Sequence, residues 1–303
     1  MKKNQLGTSN LHVSELGFGC MSLTGNTSED EKIIHQAIDS GINFFDTADL
    51  YQFGMNEKSV GNALKHKRRD IILASKGGNA WEDGKEGWTW KPEKNYLKSA
   101  VKHSLHRLGT DYLDLYQLHG GTIDDPHDEI IEAFEDMKNE GLIRYYGISS
   151  IRPNVIQTFA EKSNIVSVMM QYSLLDRRPE EWFPELDKKG ISVIARGPVA
   201  KGLLSESYSE KINENGFLDY SQEELNDMLP QLHDLAQEKN MTLEQLALRY
   251  VMDQPQVASA LAGSSRQAQV KNNIESTAKP ALTTETLRGL RAMTKSNTYQ
   301  NHR

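Results

Sequence analysis

An aspartate and a tyrosine close one apolar run of this chain, GINFFDTADLY at 41–51. A lysine closes a second, DIILASK at 70–76, and a histidine a third, LDLYQLH at 113–119. A charge at the edge of an apolar run is costly unless it is paired. A strand that ends where a polar loop begins accounts for any one of these residues. Convergence on one rim accounts better for Asp46, Lys76 and His119 together, and its chemistry is specific. Lys76 against Asp46 forms a buried ion pair and carries an ammonium to Tyr51. A neighbouring cation favours a phenolate, which makes a phenol a usable general acid toward a carbonyl oxygen gaining negative charge. His119, neutral or charged, can orient and polarise the same oxygen. There is no nucleophile with its own base and no Ser-His-Asp order, which argues against acyl transfer.

Such convergence requires elements that bring distant strand tips together. Short apolar runs recur at 14–20, 42–46, 70–76, 113–119, 144–149, 165–171, 191–196 and 257–263, separated by longer amphipathic charged stretches such as SEDEKIIHQAIDSG and PHDEIIEAFEDMKNEG. Gly41, Gly109, Gly141 and Gly190 follow helical stretches, where a left-handed cap favours glycine. Strand–helix alternation of this kind predicts a parallel sheet closed as a (β/α)8 TIM barrel. An N-terminal β-hairpin at QLGTSNLHV would plug its floor, and extra helices would follow at the C-terminus. One domain is expected over residues 1–303. Active sites of such barrels lie at the carboxyl ends of the strands, and six runs end there in Asp46, Lys76, His119, Ser149, Gln171 and Arg196.

The formal net charge of −7 argues against nucleic acid as a partner. Cys20 is the lone cysteine, in keeping with a reducing compartment. MKKNQLGTSNLHVSELG has no apolar core of a secretory signal, and no run approaches the roughly 20 apolar residues of a membrane helix. The expectation is a cytoplasmic protein acting on a small molecule, away from membranes, as a monomer or weak homo-oligomer. His103 and His106 have no evident third ligand, so no metal is expected. GFGCMS at 17–22 lacks the third glycine of a dinucleotide fingerprint.

DTADLY (46–51), ASKGG (74–78), LGTDYLDLYQLHGG (108–121), GLIRYYGISS (141–150), GPVAKGLL (197–204) and GSSRQAQVKNN (263–273) jointly resemble the aldo-keto reductases over nearly the whole chain. The resemblance implies a barrel that binds an extended nicotinamide dinucleotide, here NADPH, and reduces an aldehyde or ketone. It places Asp46, Tyr51, Lys76 and His119 on a catalytic tetrad. Ser149 and Gln171 fall where the nicotinamide carboxamide is held. Gly197, Pro198, Gly202 and Leu203 belong to a loop whose backbone N–H groups clasp the pyrophosphate. Gly263, Ser264, Ser265, Arg266, Gln269 and Asn273 fall on the adenosine and 2′-phosphate site, where the two serines can cap a helix whose N-terminus favours an anion. No carboxylate stands in that run to take a ribose hydroxyl, and Arg266 offers a fork that suits phosphate.

Three departures stand out. Ser150 replaces a frequent asparagine. Arg196 stands where many members place a tyrosine under the nicotinamide ring. Met21 stands where some carry a pocket tryptophan. The loop GGNAWEDGKEGWTW holds Trp81, Trp88 and Trp90, three of the chain's four tryptophans. It reads either as a substrate wall or as packing onto the rim. Tyr116 and Tyr172 read as packing, and Asp176-Arg177-Arg178 as a solvated loop. Two other classes stay open: a nicotinamide-binding regulatory or structural protein with little turnover, and a cofactor-free barrel hydrolase or lyase.

Overall fold

The apolar runs form strands because each is too hydrophobic to leave either face in water. Leu, Ile, Val, Ala, Met and aromatic residues make up most of them, and Leu113–Leu118, for example, is buried at every position. A computed structural model describes residues 1–82 and 84–302. In chain order it contains β1 (Lys3–Gln5), β2 (His12–Ser14), β3 (Leu16–Gly19), α1 (Thr27–Asp39), β4 (Phe44–Asp46), α2 (Met55–Leu64), β5 (Ile72–Gly77), β6 (Asn79–Ala80), β7 (Thr89–Trp90), α3 (Lys94–Leu108), β8 (Leu113–Leu118) and α4 (His127–Asn139). There follow β9 (Ile143–Ser149), α5 (Pro153–Lys162), β10 (Ser167–Gln171), α6 (Phe183–Lys188), β11 (Ser192–Arg196), α7 (Gln222–Glu238), α8 (Leu243–Met252), β12 (Val257–Gly263), α9 (Gln267–Glu275) and α10 (Thr284–Met293).

Among the described residues, the eight strands β3, β4, β5, β8, β9, β10, β11 and β12 close into a parallel barrel, with β12 pairing back onto β3. Each overlaps one of the runs read from the sequence. The hairpin is β1 on β2, antiparallel. Its Leu6, Leu11 and Val13 join Phe44, Ile72 and Leu115 in the apolar cluster inside the barrel. It therefore closes the floor. Gly41, Gly109, Gly141 and Gly190 all have positive φ. Among the described residues, α10 follows α9 at the C-terminus, and α7 is a further helix in the β11–β12 connection. Among the described residues no helix is long and apolar enough to cross a membrane.

Alternation along the strands sets the site. Phe44, Ile72, Ala74, Leu115, Met169 and Ile194 point into the barrel. With a period of two, the next inward positions toward the carboxyl ends are Asp46, Lys76, Gln117, Gln171 and Arg196. The apolar floor thus gives way to a polar upper layer.

The Asp176-Arg177-Arg178 cluster is not a solvated loop. Asp176 and Arg177 are buried. Arg178 pairs with Asp176 at 2.7 Å, and Arg177 donates to the Arg291 carbonyl and to Glu180. These bonds fasten the C-terminal segment to the barrel, as does Arg177 N donating to Asn297.

Helix α2 crosses α3 at Gly61, where a methyl group would lie 2.4 Å from the Leu108 carbonyl oxygen and 2.6 Å from Leu108 Cα. Alanine gains about 1 kcal/mol of helix propensity. The contact is backbone, which no rotamer relieves, and overpacking costs roughly 1–3 kcal/mol. Gly61→Ala should therefore lower the thermal midpoint. An unchanged or raised midpoint by circular dichroism would show that α2 moves away freely.

Candidate active site

The upper layer is organised by Lys76, which is 1% exposed. Its ammonium donates to Asp46 Oδ2 at 2.6 Å, the Thr47 carbonyl at 2.8 Å and Tyr51 Oη at 3.1 Å. An ammonium has three donors, and all three are taken. Gln117 Nε2 donates to the other oxygen of Asp46 at 3.2 Å. Burial alone pulls Lys76 toward its neutral form. The charge of Asp46 and the bonds to Asp46 and Tyr51 outweigh it and hold the ammonium above the ordinary lysine range. Burial pushes the Asp46 carboxyl up, opposed by Lys76 and Gln117. The fully bonded ammonium at 2.6 Å keeps the pair ionic.

Tyr51 stands beside this pair, with Lys76 Nζ 4.7 Å from its ring centroid. His119 meets the same ring edge-on, with centroids 5.8 Å apart and planes at 83°. The histidine backbone is fixed at both groups: its N–H donates to the Gly77 carbonyl at 2.8 Å, and its carbonyl accepts from Asn79 at 3.2 Å. Burial, then Lys76 and Arg196, push the imidazole down to about 3, so it is neutral at ordinary pH. Its Nδ1 is buried with no hydrogen-bond partner among the described residues.

Backbone strain holds the tyrosine loop. Gln52 and Phe53 have φ of 49° and 48°, and Gly54 follows at 80°. Non-glycine residues in this region cost of order 1–3 kcal/mol each and persist where surrounding contacts fix them. Gln52 donates to the Leu23 carbonyl at 3.0 Å, and the Phe53 ring meets Trp81 at 5.8 Å. Gly77 is also required: a methyl there would sit 2.0 Å from the buried Tyr116 hydroxyl.

The strand tips continue as an arc. Ser149 pairs in register with Met169, and Gln171 with Arg196. Arg196 is exposed and donates to Gln171 Oε1 at 3.2 Å. Ser150 is buried, and its oxygen accepts the Arg152 N–H. The loop after β11 takes positive φ at Gly197, Ala200, Lys201 and Gly202. Pro198 and Leu203 are buried beneath it. The amides of Ala200, Gly202, Leu203 and Leu204 donate to carbonyls within the loop. These bonds fold the loop back on itself. The loop arrives already shaped, with Lys201 exposed on it.

The segment after β12 corrects a second expectation. The serines do not cap α9. Arg266 occupies the N-cap position with no side-chain cap bond. Ser264 accepts from Asn273 at 3.1 Å, and Ser265 N donates to Gln269 at 3.0 Å. Gly263 is exposed at the strand end, and the exposed Arg266 side chain makes no hydrogen bond or ion pair among the described residues, while its carbonyl accepts from Gln269 and Val270.

The loop tryptophans divide. Trp90 donates to Asp125 at 2.9 Å and covers Gly78, where a methyl would lie 2.7 Å from its ring. That is packing. Trp81 is half-buried between Phe53 and Arg107. Trp88 and Met21 are 53% and 64% exposed at the barrel mouth. Apart from Met1, the exposed large hydrophobics Met21, Phe53, Met55, Trp88, Ile123, Ile151 and Leu218 all follow carboxyl ends of barrel strands. Gln117 and Asn79 are missing from the residues picked out in the sequence. Gln117 precedes His119 by two in LDLYQLH, so alternation alone places it on the inward face.

The polar layer fits a nicotinamide dinucleotide. Residues 196–204 and 263–273 carry Arg196, Lys201, Arg266 and Lys271 and no Asp or Glu, in a chain of net charge −7. That suits a long anionic ligand laid from the strand tips to α9.

A family model for the aldo/keto reductases matches residues 15–295. The uncharacterised oxidoreductase YqkF of Bacillus subtilis is 54% identical over the full length of both chains. The NADH-specific methylglyoxal reductase of Escherichia coli is 30% identical, covering 90% of this chain and 93% of that protein. The holo structure of aldo-keto reductase AKR11C1 from Bacillus halodurans superposes with a TM-score of 0.94 at 54% identity, over 100% of this chain and 99% of that one. The chain belongs to the aldo/keto reductase family and is a nicotinamide-dependent oxidoreductase.

Proposed function

We propose that this chain reduces aldehydes or ketones to alcohols with NADPH, with Tyr51 as the general acid. The observation that carries the reading is the fully bonded Lys76 ammonium, 2.6 Å from Asp46 and 3.1 Å from the Tyr51 hydroxyl. When bound, the dinucleotide supplies the hydride. The chain's residues do the rest. Tyr51 gives its proton to the carbonyl oxygen, and Lys76 stabilises the phenolate left behind. Asp46 keeps that lysine protonated. His119, neutral, orients the same oxygen by hydrogen bonding. The apolar rim around Met21 and Trp88 favours a carbonyl with an apolar body.

On this reading Ser149 and Gln171 face the nicotinamide amide, Lys201 the pyrophosphate, and Arg266 the 2′-phosphate. A regulatory protein with little turnover has no use for a phenol held against a buried ion pair in this way. The carbonyl panel that tests this reading follows NADPH absorbance, with NADH in parallel.

Tyr51→Phe should lower kcat by roughly 10²–10⁴, the usual range for losing a general acid, while NADPH still binds. A variant that retains most of its kcat removes Tyr51 from that role.

His119 yields a stability prediction. Its folded value near 3 lies below the ordinary 6.5. Between these the unfolded chain binds a proton that the native imidazole refuses, so stability falls as pH falls through that window. His119→Gln should lose less stability than the wild type between neutral pH and mild acid. Urea midpoints that shift equally in both proteins would show that His119 protonates freely in the fold.

The choice of dinucleotide rests on Arg266, since one relative carries the name NADH-specific. A charge-assisted hydrogen bond contributes about 1.5–3 kcal/mol, so NADPH should bind roughly tenfold to a hundredfold tighter than NADH. Arg266→Ala should weaken NADPH and spare NADH. Equal affinities in the wild type, or equal losses in the variant, would remove Arg266 from the site.

A further inference from the structure

The charges facing the candidate catalytic groups do not cancel. Asp46 offsets Lys76 at 2.6 Å, and His119 is neutral. The charge left over is Arg196. It lies close enough to act on both Asp46 and His119, and on Tyr299 of the C-terminal segment. Its guanidinium is pinned across the β10–β11 step by the neutral Gln171, at 3.2 Å. No carboxylate pairs with it among the described residues. The upper layer thus holds one fixed, unbalanced positive charge.

The consequence rests on the reading above. A carbonyl bonded by Tyr51 and His119 must lie about 3–3.5 Å from the carbon that gives it hydride, so the nicotinamide ring shares these strand tips. In the reaction a C–H bond of the ring breaks, and its electron pair forms the new C–H bond of the alcohol. The carbonyl π pair takes the Tyr51 proton, which solvent restores. The ring goes from neutral to a charge of +1.

We infer that Arg196 makes this chain distinguish the two redox forms of its cofactor, holding the neutral reduced ring more tightly than the cationic oxidised one. A neutral side chain at the tip of β11 would lack this selectivity. The effect hastens release of oxidised cofactor and sets the chain to work as a reductase rather than as an alcohol dehydrogenase. Because the guanidinium is exposed, solvent screens it, and the expected discrimination is about tenfold rather than a hundredfold.

The test measures dissociation constants of NADPH, NADP+, NADH and NAD+ by calorimetry for wild type, Arg196→Gln and Arg196→Lys. The adenosine end is common to the two forms of each pair, so the ratio of oxidised to reduced isolates the ring. Arg196→Gln should lower that ratio about tenfold in both pairs. Arg196→Lys should keep most of it, and salt should shrink it in the wild type. An unchanged ratio in Arg196→Gln overturns the inference, as does an equal weakening of both forms. A fall in Arg196→Lys as large as in Arg196→Gln also overturns it, since planarity rather than charge would then matter. If the wild type binds none of the four nucleotides, the cofactor reading itself fails.

Discussion

A lysine ammonium buried inside a barrel is the constraint around which the upper half of this structure is arranged. The penalty for desolvating such a charge is several kcal/mol unless bonds replace the lost water. Three acceptors do so here: a carboxylate, a backbone carbonyl and a phenol. Each places a demand on the chain. Strand β4 must end with Asp46 facing inward. The backbone must then turn so that the Thr47 carbonyl points back at Lys76. The following loop must return Tyr51 over the same atom. Removing any one acceptor leaves a buried charge short of a partner, typically a larger loss than the pair itself contributes.

The tyrosine loop shows what that demand costs. Two successive non-glycine residues, Gln52 and Phe53, sit in the left-handed region. The contacts that offset this strain are local. Asp30, buried at the start of α1, accepts the Thr24 and Gly25 amides and the Ser59 hydroxyl. Asn56 accepts the Thr47 hydroxyl at 2.7 Å and donates to the Cys20 carbonyl at 2.8 Å. These bonds tie the loops after β3 and β4 together beneath Tyr51. The strain therefore rests on a rigid base, as the proposed role of Tyr51 as a fixed proton donor requires.

Much of this was legible in the sequence because barrel strands have a simple grammar. Strands buried on both faces read as continuous apolar runs, and all eight were readable. The period of two then orders the inward face, so Asp46, Lys76, Gln171 and Arg196 follow from Phe44, Ala74, Met169 and Ile194 two positions earlier. Features that depend on long-range partners were not legible. Asp176, Arg177 and Arg178 look like a solvated triplet until the C-terminal segment arrives to bond Arg177. Ser264 and Ser265 look like helix caps until Asn273 and Gln269 fold back to them. The amides of Ala200, Gly202, Leu203 and Leu204 look free until carbonyls of the same loop accept them. In each case the bonding partner lies where the local sequence pattern does not point to it.

The electrostatics of the rim also separate two kinds of positive charge. Lys76 is neutralised where it stands, so its role is local: it acts on Tyr51 through a 3.1 Å bond, and bulk salt has little access to it. Arg196, Lys201 and Arg266 are exposed and have no ion pair among the described residues, so they act at longer range and are screened. In a chain of net charge −7, an arc free of carboxylates from β11 to α9 gives an approaching dianionic or trianionic ligand an orientation before contact. On the proposed reading, the reacting end must still reach the ion pair of Asp46 and Lys76, which carries no net charge, and the uncharged His119. There a carbonyl, which carries no charge of its own, gains most from fixed dipoles and a single proton donor. On the proposed reading, the barrel keeps its unpaired charge for holding the ligand and its compensated charge for the reaction.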